Sequence, residues 1–164
     1  MGLAIAELLA SRGARISLAD INEDAVKAAA ESLSFKSQHI WTKVDVRDSS
    51  SVNAWIQRTV EQYGAIHGAV NMAGIITPAR PITEQTDEDF VATMDVNAQG
   101  VFRCLRAQLK HMGRGASVVS IAVDGGENAE MLTGPPRSQR RALSGSSARQ
   151  VIPRTPPVRL LLYP

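Results

Sequence analysis

The stretch GARISLADINEDAVKAAAESL, residues 13–33, decides the fold class. Gly13 is a stop signal for the helical spacing of apolar residues in the segment before it. Residues 14–20 form a short, mainly apolar segment, which predicts a buried strand. Asn22 can cap an alanine-rich helix over residues 23–33. A strand that runs directly into a capped helix is one βα unit.

The same alternation continues along the chain. Further strands are predicted at 39–46, 66–70 and 116–122, and further helices after a cap at Asp48 or Ser49 and over 87–112. Strands that alternate with helices indicate an α/β protein with a Rossmann-like, doubly wound parallel sheet. Because such sheets bind ligands at the carboxyl ends of their strands, the residues that follow each strand are the candidates for function.

Composition excludes several classes of protein. The 164 residues are 44% hydrophobic and 21% charged, which is typical of a globular chain. The single cysteine excludes a disulfide framework, and the three histidines lack metal-ligand spacing, so no metal site is predicted. The net charge of +2 gives no signal for nucleic acid, and no apolar run approaches the roughly 20 residues that span a bilayer. Without a signal-peptide pattern, a cytoplasmic location is expected.

The sequence changes character near residue 123. Six of the eight prolines lie beyond it, together with six arginines and only three acids. Hydrophobic periodicity also stops there. We therefore predict an α/β domain over 1–122 and an unrelated, disordered Pro/Arg-rich tail over 123–164. The tail is interpreted either as an interaction segment or as an out-of-frame or intron-derived extension. Its scattered arginines and the lack of an aromatic residue before Tyr163 argue against a nucleic-acid partner.

Acids follow the first two predicted strands. Asp20 lies 18 residues beyond Gly2, and in a dinucleotide-binding fold an acid about 20 residues after the glycine turn binds the adenosine ribose. A carboxylate there also repels the additional phosphate of NADP, which favours NAD. Alternatively, Asp20 caps the next helix, with Glu23 completing a capping box. Asp45-Val46 is suited to contact an adenine edge or, alternatively, forms a solvated turn.

Asparagines mark the remaining two segments. Asn71-Met-Ala-Gly74 ends the third predicted strand with small residues that let a ligand approach the backbone, or simply makes a tight turn. Asn97 lies within the long predicted helix, near its apolar stripe. That stripe comprises Phe90, Met94, Val101, Leu105 and Leu109. A buried amide without partners costs about 1–3 kcal/mol, so we expect Asn97 to be hydrogen-bonded to a specific group. Alternatively, backbone satisfies it, or it lies just off the stripe.

Together these segments resemble the short-chain dehydrogenase/reductase family over residues 1–122. The matching segments are Gly2-Leu-Ala-Ile-Ala, Asp20, Asp45-Val46, Asn71-Met-Ala-Gly74 and Asn97-Ala-Gln-Gly-Val-Phe102. Met72 replaces the second Asn of the family's Asn-Asn-Ala-Gly signature. The resemblance implies hydride transfer between NAD and a small alcohol or ketone.

The resemblance also assigns roles to single residues. The cofactor-binding residues it implies are Gly2, Asp20, Asp45, Val46, Asn71, Ala73 and Gly74. It implies that Asn97 serves catalysis by helping to hold a proton-relay water. It further implies a homo-oligomer formed through the helix over 87–112.

The catalytic part of the family pattern is not matched. The family's Ser aligns with Val123, which has no hydroxyl group. No Tyr-x-x-x-Lys pair exists, because the two tyrosines are Tyr63 and Tyr163 and no lysine follows Lys110. An oxidoreductase that is inactive as given is therefore expected. The alternatives are a non-catalytic module that pairs with a full-length relative, and a truncated gene model without activity.

The family's first strand is also not matched, because it belongs before Met1 together with most of the glycine turn. In the strand order 3-2-1-4-5 this strand lies at the centre of the sheet. Its absence is expected to leave two strands with unpaired edges and therefore a poorly soluble chain. Pairing of residues 158–163 with an open strand edge is the alternative.

Overall fold

The computed structural model describes residues 1–78 and 81–121 in full and residues 159–163 as backbone. The helices are α1 (Gly2–Ser11), α2 (Glu23–Ser32), α3 (Ser49–Tyr63), α4 (Asp87–Met94) and α5 (Val101–Gln108). The strands are β1 (Arg15–Asp20), β2 (Ile40–Lys43), β3 (Ile66–Asn71), β4 (Met112–Ser120) and β5 (Arg159–Tyr163). A π-helical segment, Asp95–Gly100, joins α4 to α5, and short 3-10 turns lie at Lys36–Gln38, Ile82–Glu84 and Leu109–His111.

The strands form one five-stranded sheet in the order β2-β1-β5-β3-β4. Every neighbouring pair is parallel. Residues of α1 and α2 pack on one face of this sheet, and residues of α3 and α5 pack on the other. The predicted α/β class with a doubly wound parallel sheet is therefore confirmed. In the part of the chain described, every helix is too short or too polar to cross a membrane.

The core has two layers because successive side chains of a strand point to opposite faces of the sheet. Ile16 and Leu18 of β1 pack with Ala6 of α1 on one face. Ala19, the next residue of β1, packs with Trp55 of α3 on the other face. All five side chains are at most 2% exposed. The alternation along β1 thus fixes which helix covers which face.

Local capping chemistry explains where two helices begin. Asn22 caps α2, and its Oδ1 accepts a hydrogen bond of 3.0 Å from Ala25 N. Asp48 caps α3 and accepts from Ser50 N at 2.8 Å. Side-chain oxygens at these positions satisfy backbone amides that have no partner within the helix. Both caps are confirmed as predicted.

β5 corrects the expectation of unpaired strand edges at the centre of the sheet. This strand lies between β1 and β3 and is hydrogen-bonded to both. The expectation of poor solubility was argued from those edges and loses its basis. Residues 159–163 are therefore part of the sheet rather than of a separate tail, whereas 122–158 and 164 lie outside the described residues. The predicted boundary at residue 122 stays a prediction for them.

The long predicted helix over 87–112 is interrupted, and its apolar stripe is not a core face. Phe90 is 63% exposed and Leu109 is 58% exposed. The buried residues of α5 are instead Cys104, Ala107 and Gln108. A π-helical turn inserts an additional residue into a helix, and so it rotates the face that α5 turns toward the sheet. Regular 3.6-residue spacing therefore does not predict this face.

Candidate functional site

The predicted site segments meet at one edge of the sheet. Asp20 ends β1, Asp45-Val46 follows β2 and Asn71 ends β3. Because the strands are parallel, these residues all lie at the carboxyl edge. Gly2 is buried and opens α1, whose chain leads through Gly13 into β1. A helix in such a connection runs antiparallel to the strands, so its amino end faces the same edge.

Asp20 is held at the tip of β1 but does not cap α2. Its Oδ1 accepts a hydrogen bond of 2.8 Å from Asn22 N. The capping alternative for Asp20 is wrong, since Asn22 is the capping residue of α2. Within the described residues, Oδ2 of Asp20 has no hydrogen-bond donor. This carboxylate is therefore oriented by one oxygen, and the other can accept hydrogen bonds from a ligand.

Asp45 forms a two-pronged ion pair with Arg47. Arg47 Nη2 lies 2.6 Å from Asp45 Oδ2, and Arg47 Nε lies 2.9 Å from Oδ1. The hydrogen bonds from Arg47 hold the pKa of the Asp45 carboxyl below its usual value. A ligand that uses this carboxylate shares it with the guanidinium group. The solvated-turn alternative thus describes the carboxyl group better than a free acceptor does.

Val46 is a buried contact between the β2 turn and the π-helical segment. Its side chain is 3% exposed and packs in the core with Trp55 and Ala69. A Cβ built at Gly100 would lie 2.8 Å from Val46 Cγ2, a distance that real Cβ atoms do not show. Gly100 is therefore needed for the close approach. Arg103 Nη1 also lies 3.4 Å from Val46 O and 2.7 Å from Asp95 Oδ1.

Asn71 has a role that its sequence position does not reveal. Its side chain is 2% exposed and exchanges two hydrogen bonds with Gln108 of α5, at 3.1 and 2.8 Å. Asn71 Nδ2 also lies 3.4 Å from Ser120 Oγ on β4. The side chain thus ties β3 to α5 and β4 rather than projecting toward a ligand. Ala73 packs against the core on the α5 side.

Asn97 holds the loop that follows β3. Its Oδ1 accepts from Ile75 N at 2.8 Å, and its Nδ2 donates to Ile75 O at 2.9 Å. Asn97 Oδ1 also lies 3.5 Å from a Cβ built at Gly74, so Gly74 has room for a side chain. The side chain is exposed within the π-helical segment, which agrees with the alternative that Asn97 lies off the apolar stripe. The expected hydrogen bonding is confirmed, and backbone is the partner.

Two residues that support the site, and one histidine at the opposite edge of the sheet, were not predicted. Gln108 is fully buried and pairs with Asn71, Arg103 links Val46 to Asp95, and His39 Nδ1 accepts from Ile16 N at 3.1 Å. Gln108 and Arg103 lie in α5, after Asn97. A polar residue among the core positions of this helix was the one signal in the sequence that could have indicated them. No local pattern marks His39, whose partner lies 23 residues away in sequence.

The tyrosine of the described domain is structural. Tyr63 is 4% exposed, and its hydroxyl group lies 3.0 Å from Ile16 O and 2.8 Å from Gln38 O, sharing its proton between them. Burial raises its pKa to about 12. Such a hydroxyl group is a poor proton donor at neutral pH and faces backbone rather than the site. Within the described ranges, no cluster of His, Cys, Asp and Glu is arranged to hold a metal ion.

Comparisons with known proteins identify the family to which this fold belongs. A family model described as enoyl-(acyl carrier protein) reductase matches residues 1–147. This chain belongs to the short-chain dehydrogenase/reductase family. A short-chain dehydrogenase/reductase of Pyricularia oryzae is 37% identical in an alignment of 127 positions that covers 74% of this chain and 47% of the relative. The 2,3-dihydro-2,3-dihydroxybenzoate dehydrogenase of Bacillus subtilis is 34% identical over 93% of this chain and 56% of its own length.

Solved structures show the same oxidoreductase fold. A short-chain dehydrogenase/reductase from Brucella melitensis, described as a glucose/ribitol dehydrogenase, superposes with a TM-score of 0.70 at 30% identity, covering 74% of this chain and 52% of that one. A short-chain dehydrogenase from Burkholderia cenocepacia in complex with NADP has a TM-score of 0.65 at 28% identity, over 71% of this chain and 48% of that one. The chain thus spans about half the length of the relatives it matches.

Proposed function

We propose that the short-chain dehydrogenase/reductase domain of this chain binds a nicotinamide dinucleotide at the carboxyl edge of β1, β2 and β3, with a preference for NAD. The observation that supports it best is the position of Asp20 at the tip of β1, with Oδ1 fixed by Asn22 N and Oδ2 open to a ligand. A carboxylate in this place accepts hydrogen bonds from ribose hydroxyls and repels a ribose phosphate. One of the solved relatives binds NADP, so the cofactor must be tested with both dinucleotides.

The other predicted residues differ in what they contribute to this site. Gly2 places the amino end of α1, which attracts the negative charge of the pyrophosphate. Val46 and Ala73 shape the edge by their backbone, since their side chains pack into the core. Asn71 and Asn97 act through other parts of the protein: Asn71 fixes β3 to α5, and Asn97 fixes the loop at Ile75. Gly74 lies in this loop beside Asn97.

The test is a calorimetric titration of NAD into the protein and two variants. Asp20→Asn removes the charge and keeps the shape, and Asp24→Asn makes the same change in the first turn of α2. A charge-assisted hydrogen bond contributes about 1.5–3 kcal/mol, so Asp20→Asn is expected to weaken NAD binding by about tenfold or more. Asp24→Asn should bind within about twofold of the unaltered chain. Equal affinity of the Asp20 variant would contradict the assignment.

By its family, the reaction associated with this chain is hydride transfer to or from an unidentified alcohol or carbonyl. We propose that this sequence does not catalyse that reaction. The family's Ser aligns with Val123, and its Tyr-x-x-x-Lys pair has no counterpart in the printed sequence. General acid catalysis contributes about 10²–10⁴-fold to such reactions. Incubation with NADH and a panel of ketones should give no oxidation of NADH above the rate without protein. An oxidation rate that disappears on Asn97→Ala would contradict this proposal.

A second candidate is association with another copy or with a full-length relative through the exposed helical surface. This surface comprises Phe90, Val91, Met94, Phe102 and Leu109, each at least 41% exposed. Contiguous exposed apolar side chains mark interaction sites. Phe90→Ser combined with Phe102→Ser should convert an associated species into monomer in analytical ultracentrifugation. Leu8→Ser, which alters an exposed residue of α1, is the control. A monomeric unaltered chain would argue against this candidate.

A further inference from the structure

β5 joins two halves of the sheet whose strands do not pair with each other, although α3 packs against both halves. β1 is paired with β2 on its other side, and β3 is paired with β4. Within β5, Leu160 aligns with Ile16 of β1 and Gly68 of β3, and Leu162 aligns with Leu18 and Val70. Among the described strands, β5 is thus the connection between the half that ends at Asp20 and the half that ends at Asn71.

The place that β5 occupies requires a strand. With β5 in place, Ile16, Ser17 and Leu18 on one side of it are at most 2% exposed, and Ala69 and Val70 on the other side are at most 8% exposed. Backbone amides and carbonyls in such surroundings need hydrogen-bond partners, since each unpaired buried group costs about 1–3 kcal/mol. A strand that pairs on both sides satisfies the backbone groups of β1 and those of β3 at once. The gap between β1 and β3 is therefore suited to bind a parallel strand.

The chain can fill this place with its own segment. Residues 122–158 connect β4 to β5, and a crossover between parallel strands needs only a dozen or more residues. Pairing of a segment of the same chain is intramolecular, so it does not depend on the protein concentration. A segment from another copy competes at the micromolar concentration of the protein. Pairing within one chain is therefore favoured over exchange between two chains.

We propose that residues 159–163 are a docking strand that assembles the dinucleotide site in cis, so that docking of this strand and binding of the dinucleotide strengthen each other. The coupling rests on the proposed function. With β5 in place, β1 and β3 lie two strand spacings apart, about 10 Å. This separation sets Asp20 relative to the loop that follows Asn71. A dinucleotide that contacts both halves binds the docked state more tightly, and by linkage it stabilises docking equally.

Cysteine pairs test the position of the strand in the full chain. Arg15 aligns with Arg159, and neighbouring strands place such residues about 5 Å apart, within the range for a disulfide. Arg15→Cys with Arg159→Cys should therefore form a disulfide within one chain under mild oxidation. Arg114→Cys with Arg159→Cys is the matched control, because β4 lies two strands from β5, beyond disulfide reach. The natural Cys104 is buried and does not interfere.

The outcomes of the cysteine experiment decide between cis docking and its alternatives. Mass spectrometry and non-reducing electrophoresis should show a monomeric cross-linked product for the first pair and at least about fivefold less for the control. Covalent dimers of the first pair would show strand exchange between copies. Equal yields for both pairs would show that the segment does not occupy the central place. Either result overturns the proposal.

A proline in the docking strand tests the coupling. Leu161→Pro removes the amide donor from the middle of β5, and Leu161→Val keeps it with a residue that favours strands. Calorimetry with NAD should show a dissociation constant raised about tenfold or more for Leu161→Pro and within about twofold for Leu161→Val. A selective loss of soluble protein in the proline variant likewise supports the need for the strand. Unchanged solubility and affinity in this variant overturn the proposal.

Failure of the proposed function is distinguishable from failure of the docking proposal. If the unaltered chain binds no NAD, the dinucleotide site and the coupling are both lost. The cysteine pairs still report whether residues 159–163 lie between β1 and β3, because disulfide formation does not depend on a ligand. If NAD binds and the first cysteine pair stays unlinked, the dinucleotide site stands and the docking strand is wrong.

Discussion

At the scale of single residues, the carboxyl edge depends on a buried pair of amides. Asn71 and Gln108 exchange two hydrogen bonds, and both side chains are at most 2% exposed. Removing one partner leaves the other unsatisfied, which costs about 1–3 kcal/mol. Asn71→Ala and Gln108→Ala should each lower the free energy of unfolding in urea by about 2 kcal/mol. The double variant should cost about 1 kcal/mol less than the sum of both. Strict additivity would show that the pair does not act as a unit.

The ion pair between Asp45 and Arg47 predicts a pH dependence of known sign. Arg47 lowers the pKa of the Asp45 carboxyl in the folded protein. A lowered pKa contributes stability that is present above the unfolded value and is lost as the pH falls through the folded one. Arg47→Ala should therefore raise the pKa of Asp45 toward its ordinary value of about 3.9, as measured by NMR titration. Arg12→Ala, an exposed arginine at the end of α1, should leave it in place.

At the scale of elements, the contact between the β2 turn and the π-helical segment depends on Gly100. A Cβ at this position would lie 2.8 Å from Val46 Cγ2, whereas a Cβ at Gly113 meets nothing within 4 Å. Overpacking of a core contact costs about 1–3 kcal/mol. Gly100→Ala should lower the free energy of unfolding by this amount, and Gly113→Ala should change it by less than about 0.5 kcal/mol. Equal effects would show that the close approach is not required.

The starts of helices that are capped by a nearby side chain could be predicted from the sequence. The irregular helical segment and the faces that depend on it could not. The caps at Asn22 and Asp48 follow from side-chain oxygens that bind amides two or three residues away, so the starts of α2 and α3 are visible in the sequence. The π-helical segment is not visible, because the spacing of apolar residues assumes a regular helix. The exposed position of Asn97 and the buried face of α5 follow from that segment.

The candidate site divides in the same way. The sequence places Asp20 at a strand end because an acid follows an apolar run, and the structure has it there. The hydrogen-bond partners of Asn71, Asn97 and Asp45 depend on side-chain geometry in the folded protein. The spacing of residues in the sequence does not predict that geometry. Asn71 faces α5 and not the ligand edge, for example, because Gln108 lies opposite it. Pairing of residues 158–163 with an open strand edge was one alternative that the sequence offered, but its place between β1 and β3 depends on contacts between distant parts of the chain.

At the scale of the whole molecule, the two outer pairs of strands are joined by one central strand. The sheet order β2-β1-β5-β3-β4 places residues 159–163 at its centre. The short-chain dehydrogenase/reductase relatives match about half of their own length to this chain. The family fold is therefore the feature that this chain shares with them, and the choice of dinucleotide at the proposed site is the property most open to direct measurement.

Titration of the unaltered chain with NAD and with NADP tests the central claim most directly. In the proposed site, Asp20 would accept hydrogen bonds from ribose hydroxyls and repel an added phosphate group, which carries close to two negative charges. Calorimetry at low salt should give saturable binding of one NAD per chain, with a dissociation constant at least about tenfold lower than that for NADP. No saturable binding of either dinucleotide, or tighter binding of NADP, would contradict the account.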